Sequence, residues 1–435
     1  MTGDQHAAKA AEPSCPACGE MVYAGEIFCE ECGHRLADAP PPAAEAGAAG
    51  GPDATGSSSP SSGRASAGPC TSCAGTAIDP EGYCESCGMR QPAERDHIEI
   101  EIHGGTGGNG TRPVVAAGAS DRGRRYSRNE DAIAIAVHSA GVAAVVSDGV
   151  GSSQRPDDAS RTAAETGAAE LVARLDSGED PEAATRAAAL RAASAVAELA
   201  TSPADAPSCT YVSAVTRGAA VTVGWIGDSR AYWLSADGAV EPGEDGTPPD
   251  PGAPYPDTAE VSTGDMAELG PSRRLTDDDS WAAYMVAEGS LTEAEAEQHP
   301  NAHVITAWLG ADAGEVGPHV ASFRPAGPGT LLVCSDGLWN YFPAARDLAE
   351  LLAAGPGHTP TPDGAGPAGA GVAPPPDPGH DPAADPLGVA RTLVRHALDA
   401  GGRDNITVAV IPLPSPAAPQ SRIHESTTQS TEQPR

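Results

Sequence analysis

Short apolar runs separated by turn residues dominate the middle of the chain. Residues 97–102 alternate polar side chains with isoleucine, which predicts a strand with one buried face. Other runs rich in Val, Ala and Ile are bounded by Gly, Asp or Ser, and each predicts a further strand. These runs are residues 114–117, 132–137, 141–146, 211–215, 219–226, 231–234, 331–334 and 406–411, with Phe323 in another.

Helices are predicted where the apolar spacing changes to three and four residues. Two alanine-rich helices follow the early strands, and the second begins at Asp180-Pro181, an N-cap followed by proline. Its predicted buried side carries Leu190, Val196 and Leu199. The other predicted helices are a short one marked by Trp281, Tyr284 and Met285, one opened by the capping box of Thr292 and Glu295, and a last one from Asp385-Pro386 to Gly401-Gly402.

The order of these elements predicts the fold class. Strands come in runs and helices in pairs, which favours an α+β domain with mostly antiparallel pairing over residues 96–413. Within it, residues 241–258 and 354–384 are mostly Pro, Gly, Asp and Ala, and we interpret them as low-complexity insertions at the surface. The polar stretch 414–435 is predicted to be a disordered tail.

Charge narrows the classes of partner. The 435 residues include 26 basic and 60 acidic side chains, a formal net charge of −34. Such a surface repels phosphate backbones and anionic lipid, so nucleic acid and membranes are not expected partners. The most apolar run, 132–146, is shorter than the roughly 20 residues of a membrane span, and residues 1–11 contain no secretory h-region. We therefore expect a cytoplasmic protein.

Eight of the ten cysteines form two identical spacings in the first 90 residues. Each set reads C-x2-C-x10-C-x2-C, and the second is the first shifted by 55 residues. Two such turns can place four thiolates around one ion, a closed tetrahedron that suits structural Zn²⁺. Disulfides or free thiols are the alternative that we disfavour, because the spacing is doubled. The two sets are Cys15, Cys18, Cys29 and Cys32, then Cys70, Cys73, Cys84 and Cys87.

The pattern resembles the double zinc ribbon of many prokaryotic proteins. The predicted organisation is ribbon one at residues 1–36, a disordered linker at 37–69 and ribbon two at 70–90. Residues 1–90 carry twelve acidic and four basic side chains, so a module that recruits a protein partner is favoured over one that binds nucleic acid.

Aspartates recur where predicted strands end or begin. One motif, two apolar residues followed by Ser-Asp-Gly, occurs twice, at Val145-Val146-Ser147-Asp148-Gly149 and at Val333-Cys334-Ser335-Asp336-Gly337. Asp228 and Asp404 flank other predicted strands. A single Asp-Gly is an ordinary turn signal, but several at one sheet edge would repel one another unless cations neutralise them. Oxygen ligands in that number suit Mg²⁺ or Mn²⁺, and two such ions could generate a hydroxide nucleophile and hold a phosphoryl group.

Five motifs in order resemble the metal-dependent protein phosphatases of type 2C, the PPM family. The resemblance spans about residues 96–413 and implies an α-β-β-α sandwich, two antiparallel sheets flanked by helices. It also implies a hydrolase that removes phosphate from phosphoserine or phosphothreonine of proteins, the substrates of a Ser/Thr kinase, by attack of a metal-bridging hydroxide. The motifs are Arg-Asn-Glu-Asp at 128–131, Val-Ser-Asp-Gly-Val-Gly at 146–151, Trp-Ile-Gly-Asp-Ser-Arg-Ala-Tyr at 225–232, Cys-Ser-Asp-Gly-Leu-Trp at 334–339 and Gly-Gly-Arg-Asp-Asn-Ile-Thr-Val at 401–408.

The resemblance also implies roles for individual residues. Two Mn²⁺ or Mg²⁺ ions would share the site, with Asp131 just outside their ligands and a third ion at Asp228. The ligands it implies for the two ions are Asp148 as the bridge, the Gly149 carbonyl, Asp336, Asp404 and Glu130.

Two positions depart from the family pattern. Tyr126 stands where the family usually has a phosphate-binding arginine, so Arg125 and Arg128 become the candidates for that role. Val150 stands where some members have a histidine acid, and His303, in the segment that corresponds to the family's flap, is a candidate further ligand. An active phosphatase is therefore the leading hypothesis, and an inactive phosphatase-like scaffold that binds partners is the alternative.

Overall fold

A computed structural model describes residues 69–78, 82–105, 112–202, 205–241, 266–354 and 381–414. The chain divides into two units, Met1–Ser62 and Gly63–Arg435, and every described residue belongs to the second. The first cysteine set, most of the predicted linker and most of both predicted insertions lie outside the described residues.

Two six-stranded sheets form the middle of the second unit. The first has the spatial order β1-β2-β12-β11-β7-β9 and the second β3-β4-β5-β6-β10-β8. Neighbouring strands are antiparallel except for β8 beside β10, as the sequence pattern predicts. The strands are β1 (His97–His103), β2 (Val114–Asp121), β3 (Ala132–His138), β4 (Gly141–Ser147), β5 (Tyr211–Arg217), β6 (Ala220–Ile226), β7 (Arg230–Ser235), β8 (Ala267–Leu269), β9 (Arg273–Arg274), β10 (His319–Pro325), β11 (Gly329–Cys334) and β12 (Ile406–Leu413).

Helices cover the outer face of each sheet. The first two pack on the second sheet, while the fifth, sixth and seventh pack on the first, which completes the predicted α-β-β-α sandwich. The helices are α1 (Pro156–Asp176), α2 (Pro181–Ala197), α3 (Trp281–Ala287), α4 (Glu293–Glu297), α5 (Asp336–Trp339), α6 (Ala345–Ala354) and α7 (Pro386–Ala400). Within the described ranges, no helix combines the length and the apolar character that crossing a bilayer needs.

The facing sides of the two sheets form the central core. Val and Ala residues of both sheets meet there around Trp233, which is fully buried and donates its indole N–H to the Gly270 carbonyl at 3.0 Å. A buried indole without an acceptor would destabilise the fold, so this hydrogen bond lets a large aromatic ring fill the space between the sheets. The core therefore fixes the spacing of the two sheets whose ends carry the acidic motifs.

The prediction for the buried side of α2 is wrong. Leu190 is 42% exposed, and the helix ends at Ala197, before Leu199. Of the three predicted side chains, only Val196 is buried within the helix. The contact face consists mainly of alanines, because the small side chain lets α1 and α2 approach each other and the sheet closely. A pattern of large apolar residues cannot identify such a face.

Candidate functional site

One end of the sandwich collects the acidic residues from both sheets. Asp148 follows β4, and Glu130 and Asp131 precede β3, which pairs with β4 from Ala132 opposite Ser147. Asp336 follows β11, and Asp404 precedes β12 in the other sheet. Because neighbouring strands are antiparallel, the end of one lies beside the start of the next. Asp228, between β6 and β7, lies at the same end.

Hydroxyl groups hold the backbone and one carboxylate of this cluster. The Ser335 hydroxyl donates to Oδ2 of the fully buried Asp131 at 2.7 Å and accepts the Thr407 N–H at 3.0 Å. Thr210 accepts the Asp148 N–H on its hydroxyl at 3.0 Å and donates its own N–H to the Asp148 carbonyl at 2.8 Å. These neutral groups fix the position of Asp131 and of the Asp148 backbone without neutralising either carboxylate.

Asn405 joins the acidic loop before β3 to the strand β12. Its side-chain oxygen accepts the Glu130 N–H at 2.6 Å, and its side-chain nitrogen donates to the carbonyls of Arg122 and Arg128 at 2.8 and 3.0 Å. Its own N–H donates to Oδ1 of Asp404 at 2.7 Å. One amide side chain therefore fixes Glu130, Asp404 and the arginine-rich loop relative to one another.

The carboxyl groups of the cluster have raised pKa values, because they are buried and lie near one another. Burial raises the pKa of Asp148 far above its ordinary range, and the charges of Asp131, Asp336 and Asp404 raise it further. Burial, followed by the charge of Asp404, does the same to the pKa of Asp336. Burial also raises the pKa of Glu130 to about 7 and that of Asp404 to about 6. A group of carboxylates in this state needs positive charge to be stable when ionised.

The donor set fits divalent cations of the Mg²⁺ and Mn²⁺ type. Oδ1 of Asp131 and Oδ1 of Asp336 are buried without a hydrogen-bond partner, so both have free lone pairs in the interior of the cluster. A Cβ at Gly149 would lie 2.7 Å from the Pro156 carbonyl oxygen and 2.8 Å from that of Glu130, so only glycine fits beside the cluster. Oxygen donors at this density are what hard cations prefer.

Both arginines that the sequence singles out lie beside the cluster. Burial raises the pKa of Asp404 and of Glu130. The charge of Arg125 is near enough to offset part of the rise at Asp404, and the charge of Arg128 offsets part of the rise at Glu130. Tyr126 lies between them in sequence. Burial, then the charge of Asp404, raises the pKa of its phenol well above the ordinary value. The loop thus brings two guanidinium groups and one phenol to the mouth of the site.

Comparison with known proteins shows what part of the chain is similar to. Residues 118–247, which contain Glu130, Asp148 and Asp228, match the family model described as Protein phosphatase 2C. A curated relative, the serine/threonine phosphatase stp of Listeria innocua, is 27% identical over 144 residues. That match covers 33% of this chain and 43% of the relative, so the chain spans less than half of the relative's length.

Solved structures are similar over a longer stretch. The PPM Ser-Thr phosphatase MsPP from Mycobacterium smegmatis, in complex with cacodylate, is 27% identical, with 69% of this chain and 98% of that chain covered and a TM-score of 0.45. The catalytic domain of the serine/threonine protein phosphatase PstP, in complex with two manganese ions, is 22% identical, with 68% and 97% covered and a TM-score of 0.43.

A buried ion pair near Asp228 was not predicted from the sequence. Arg230 donates from Nε to Oδ1 of Asp278 at 2.9 Å and from Nη2 to Oδ2 at 2.6 Å. The guanidinium carbon of Arg230 lies 3.6 Å from the centre of the Trp339 ring, so the two side chains form a cation–π interaction. Burial, then the charge of Asp278, raises the pKa of Asp228 to about 7. The Gly227-Asp228-Ser229-Arg230 motif was the available signal for Arg230, but nothing in the sequence identified its partner.

His303 lies on the wall of a groove beside the acidic cluster. It is exposed, and its ring centroid is 6.5 Å from that of Trp339. The groove has a volume of about 510 Å³ and runs between the segment after Gly149 and the segment around Trp308. Its wall is formed mainly by Val150, Ser153, Ser208, His303, Ile305 and Trp308.

The second cysteine set converges as its spacing predicts. The four sulfur atoms of Cys70, Cys73, Cys84 and Cys87 all lie within 4.8 Å of one another. The Cys70–Cys87 and Cys73–Cys84 sulfurs are 3.6 and 3.5 Å apart, so none of the four is in a disulfide. Backbone N–H groups that point at its sulfur lower the pKa of Cys70 to about 6. The arrangement fits one tetrahedral Zn²⁺ ion, while the first set lies outside the described residues.

The repulsion among the buried carboxylates predicts that metal binding stabilises the folded protein. We expect Mn²⁺ at 100 times its dissociation constant to add about 2.7 kcal/mol to the free energy of unfolding, a shift of several degrees in Tm. Asp336→Asn removes one like charge and one ligand, so its metal-free form should melt at or above the wild-type temperature and gain little from Mn²⁺. Asp347→Asn, on the outer helix α6, is the control and should keep the full shift in a thermal scan. An equal Mn²⁺ shift in Asp336→Asn and wild type would contradict the assignment.

Proposed function

We propose that this protein is a metal-dependent protein serine/threonine phosphatase. The observation that carries the proposal is the buried carboxylate cluster, with an unpartnered oxygen on Asp336 and with Arg125 and Arg128 beside it, in a chain that is similar to protein phosphatase 2C over residues 118–247. Carboxylates that hold cations, next to guanidinium groups that hold phosphate, are the parts that hydrolysis of a phosphate ester needs.

Each residue of the cluster has a place in this proposal. Asp148, Asp336, Asp404, Glu130 and the Gly149 carbonyl would hold two Mn²⁺ or Mg²⁺ ions. When bound, the ions supply a hydroxide that attacks phosphorus and neutralise charge on the phosphoryl oxygens. Asp131 carries no ion in this proposal. From its buried position it keeps the Ser335 hydroxyl, and with it the start of β12, aligned with the cluster.

The arginines act on the substrate. We propose that Arg125 and Arg128 bind the phosphoryl oxygens, because Tyr126, with its raised pKa, stays neutral and cannot offset their charge. Val150 offers no proton, so solvent protonates the leaving oxygen of the serine or threonine. The groove beyond Val150 is wide enough for the residues that flank a phosphorylated side chain, which favours protein substrates.

The alternative, an inactive scaffold, is less well supported. A protein that only binds partners has no use for a complete set of charged residues whose burial destabilises the metal-free fold. In the described part of the chain, Asp148, Asp336 and Asp404 lie together at one end of the sandwich. Only the tyrosine at position 126 favours the alternative.

Activity on a small substrate distinguishes the two functions. We expect hydrolysis of p-nitrophenyl phosphate that requires Mn²⁺ or Mg²⁺, and a fall in kcat of at least about 100-fold in Asp148→Asn, since groups that stabilise transition-state charge are worth on the order of 10²–10³. Asp228→Asn should lose less, because a third ion is not needed to form the nucleophile. Steady-state rates over a range of Mn²⁺ concentrations test this. Wild-type turnover by Asp148→Asn at saturating Mn²⁺ would contradict the proposal.

The arginine assignment has its own test. Arg125→Ala or Arg128→Ala should raise KM for p-nitrophenyl phosphate several-fold, since a charge-assisted contact with phosphate is lost. Arg124→Ala is the matched control, because that side chain is 61% exposed and pairs with Asp399 on the surface. If neither variant changes KM and Tyr126→Arg lowers it, this enzyme has no arginine that binds phosphate.

For the ribbons we propose two structural Zn²⁺ ions and a role in recruiting the phosphoprotein. In the full chain, Cys15→Ser with Cys18→Ser should reduce the zinc content from about two to about one per chain, since each set closes one tetrahedral site. The same variant should keep its rate on p-nitrophenyl phosphate but lose kcat/KM on a phosphoprotein, because a docking module raises the local substrate concentration. Equal loss on both substrates would argue against recruitment.

A further inference from the structure

The segment that joins the second ribbon to β1 lies against the back of the acidic cluster. Arg95, on a single 3-10 turn (Glu94–Asp96), donates to the Asp131 carbonyl and to the Asp157 carbonyl, both at 3.2 Å. Its own carbonyl accepts the Asn129 side-chain N–H at 3.0 Å. Two backbone carbonyls and the Asn129 side chain, which flank Glu130 in sequence or lie beside it, are therefore in contact with this turn.

The ribbon itself is tied to this turn by one ion pair. Arg90 follows the last cysteine, and Nη1 of its guanidinium donates to both carboxylate oxygens of Asp96 at 3.0 and 2.9 Å. The side chains are only 16% and 13% exposed. An exposed ion pair contributes little to stability, but a pair that is more than four-fifths buried leaves an uncompensated charge when one partner is removed.

From Asp96 the contacts continue to the arginine loop, which we define as residues 122–130. The Asp96 carbonyl accepts the Arg122 N–H at 2.9 Å, and its carboxylate is 3.9 Å from Arg122 Nε. Arg122 Nη1 in turn donates to the Tyr126 carbonyl at 2.7 Å. Asn405 holds the loop at both ends, through the carbonyls of Arg122 and Arg128. Arg125 lies between these two attachments, and Arg128 is at the second.

We propose that Arg90 is a positioning residue, through which the second ribbon holds the arginine loop in the geometry that binds phosphate. This inference rests on the proposed function. A chain cut near Pro92 would lack the second ribbon. Removal of the ribbon also removes Arg90, so such a cut should weaken phosphate binding.

The test uses the full chain. In Arg90→Met, we expect KM for p-nitrophenyl phosphate and Ki for inorganic phosphate to rise together by about three- to tenfold while kcat changes less than about twofold, the pattern of lost phosphate binding. Arg90→Lys should recover part of the affinity. Arg391→Met is the control, because it breaks another ion pair of the same edge, with Glu99 on β1, that has no direct contact with Asp96 or Arg122.

The partner of Arg90 in this ion pair, Asp96, provides a second variant. Asp96→Asn can still accept the Ala93 N–H but loses the charge that Arg90 needs. It should raise KM similarly, and the double variant with Arg90→Met should be no worse than Asp96→Asn alone, since residues in one network are not additive. Zinc content measured alongside shows whether the ribbon keeps its metal. An additive double variant, or unchanged KM in Asp96→Asn, would overturn the proposal.

Hydrogen exchange gives a readout that does not depend on catalysis. Amides of the arginine loop should exchange faster in Arg90→Met than in wild type and Arg391→Met, while those of β12 stay unchanged. Wild-type protein without phosphatase activity would refute the proposed function but leave this comparison valid. Active wild type with equal exchange and equal KM in Arg90→Met would refute only the positioning role.

Discussion

Mutual repulsion among buried carboxylates is the constraint on which the rest of this structure depends. The charges of Asp131, Asp336 and Asp404 each raise the pKa of Asp148, and burial is the largest cause of the raised pKa of all four carboxyl groups. No single strand could hold them against that repulsion. The sandwich does so because strand ends from both sheets meet at one edge, and the core around Trp233 sets the distance between the sheets.

The polar residues around the cluster orient its acidic residues without neutralising the charge of the carboxylates. Ser335, Thr210 and Asn405 are uncharged, and each satisfies backbone groups as well as the acidic residue beside it. A lone pair on Asp336 therefore stays free for a cation. Had arginines filled these places, the cluster would be stable without metal and would bind it poorly. The guanidinium groups are instead placed at the mouth, on the arginine loop.

The sequence predicted what local pattern can encode. Strand-end phrases such as Ser147-Asp148-Gly149 and Ser335-Asp336-Gly337 place a carboxylate at a sheet edge, and the doubled cysteine spacing predicted the quartet at Cys70–Cys87. Partners far apart in the chain were not predictable, as with Arg230 and Asp278. The alanine face of α2 was not predictable for a related reason. Close packing favours small residues, so the periodicity of the large ones identifies the wrong side of the helix, as with Leu190.

The charge of the whole chain makes the position of the arginine loop decisive. A net charge of −34 repels a phosphorylated protein at long range, but salt screens that field beyond about 8–10 Å under physiological conditions. Attraction must therefore act at short range, where the arginine loop supplies the guanidinium groups of Arg125 and Arg128. Short-range attraction depends on geometry, and displacement of a group by about 1 Å is enough to lose much of it. A loop held by Asn405 at both ends and by Asp96 at Arg122 satisfies that requirement. On the proposal above, the buried Arg90–Asp96 pair makes the second ribbon part of that support.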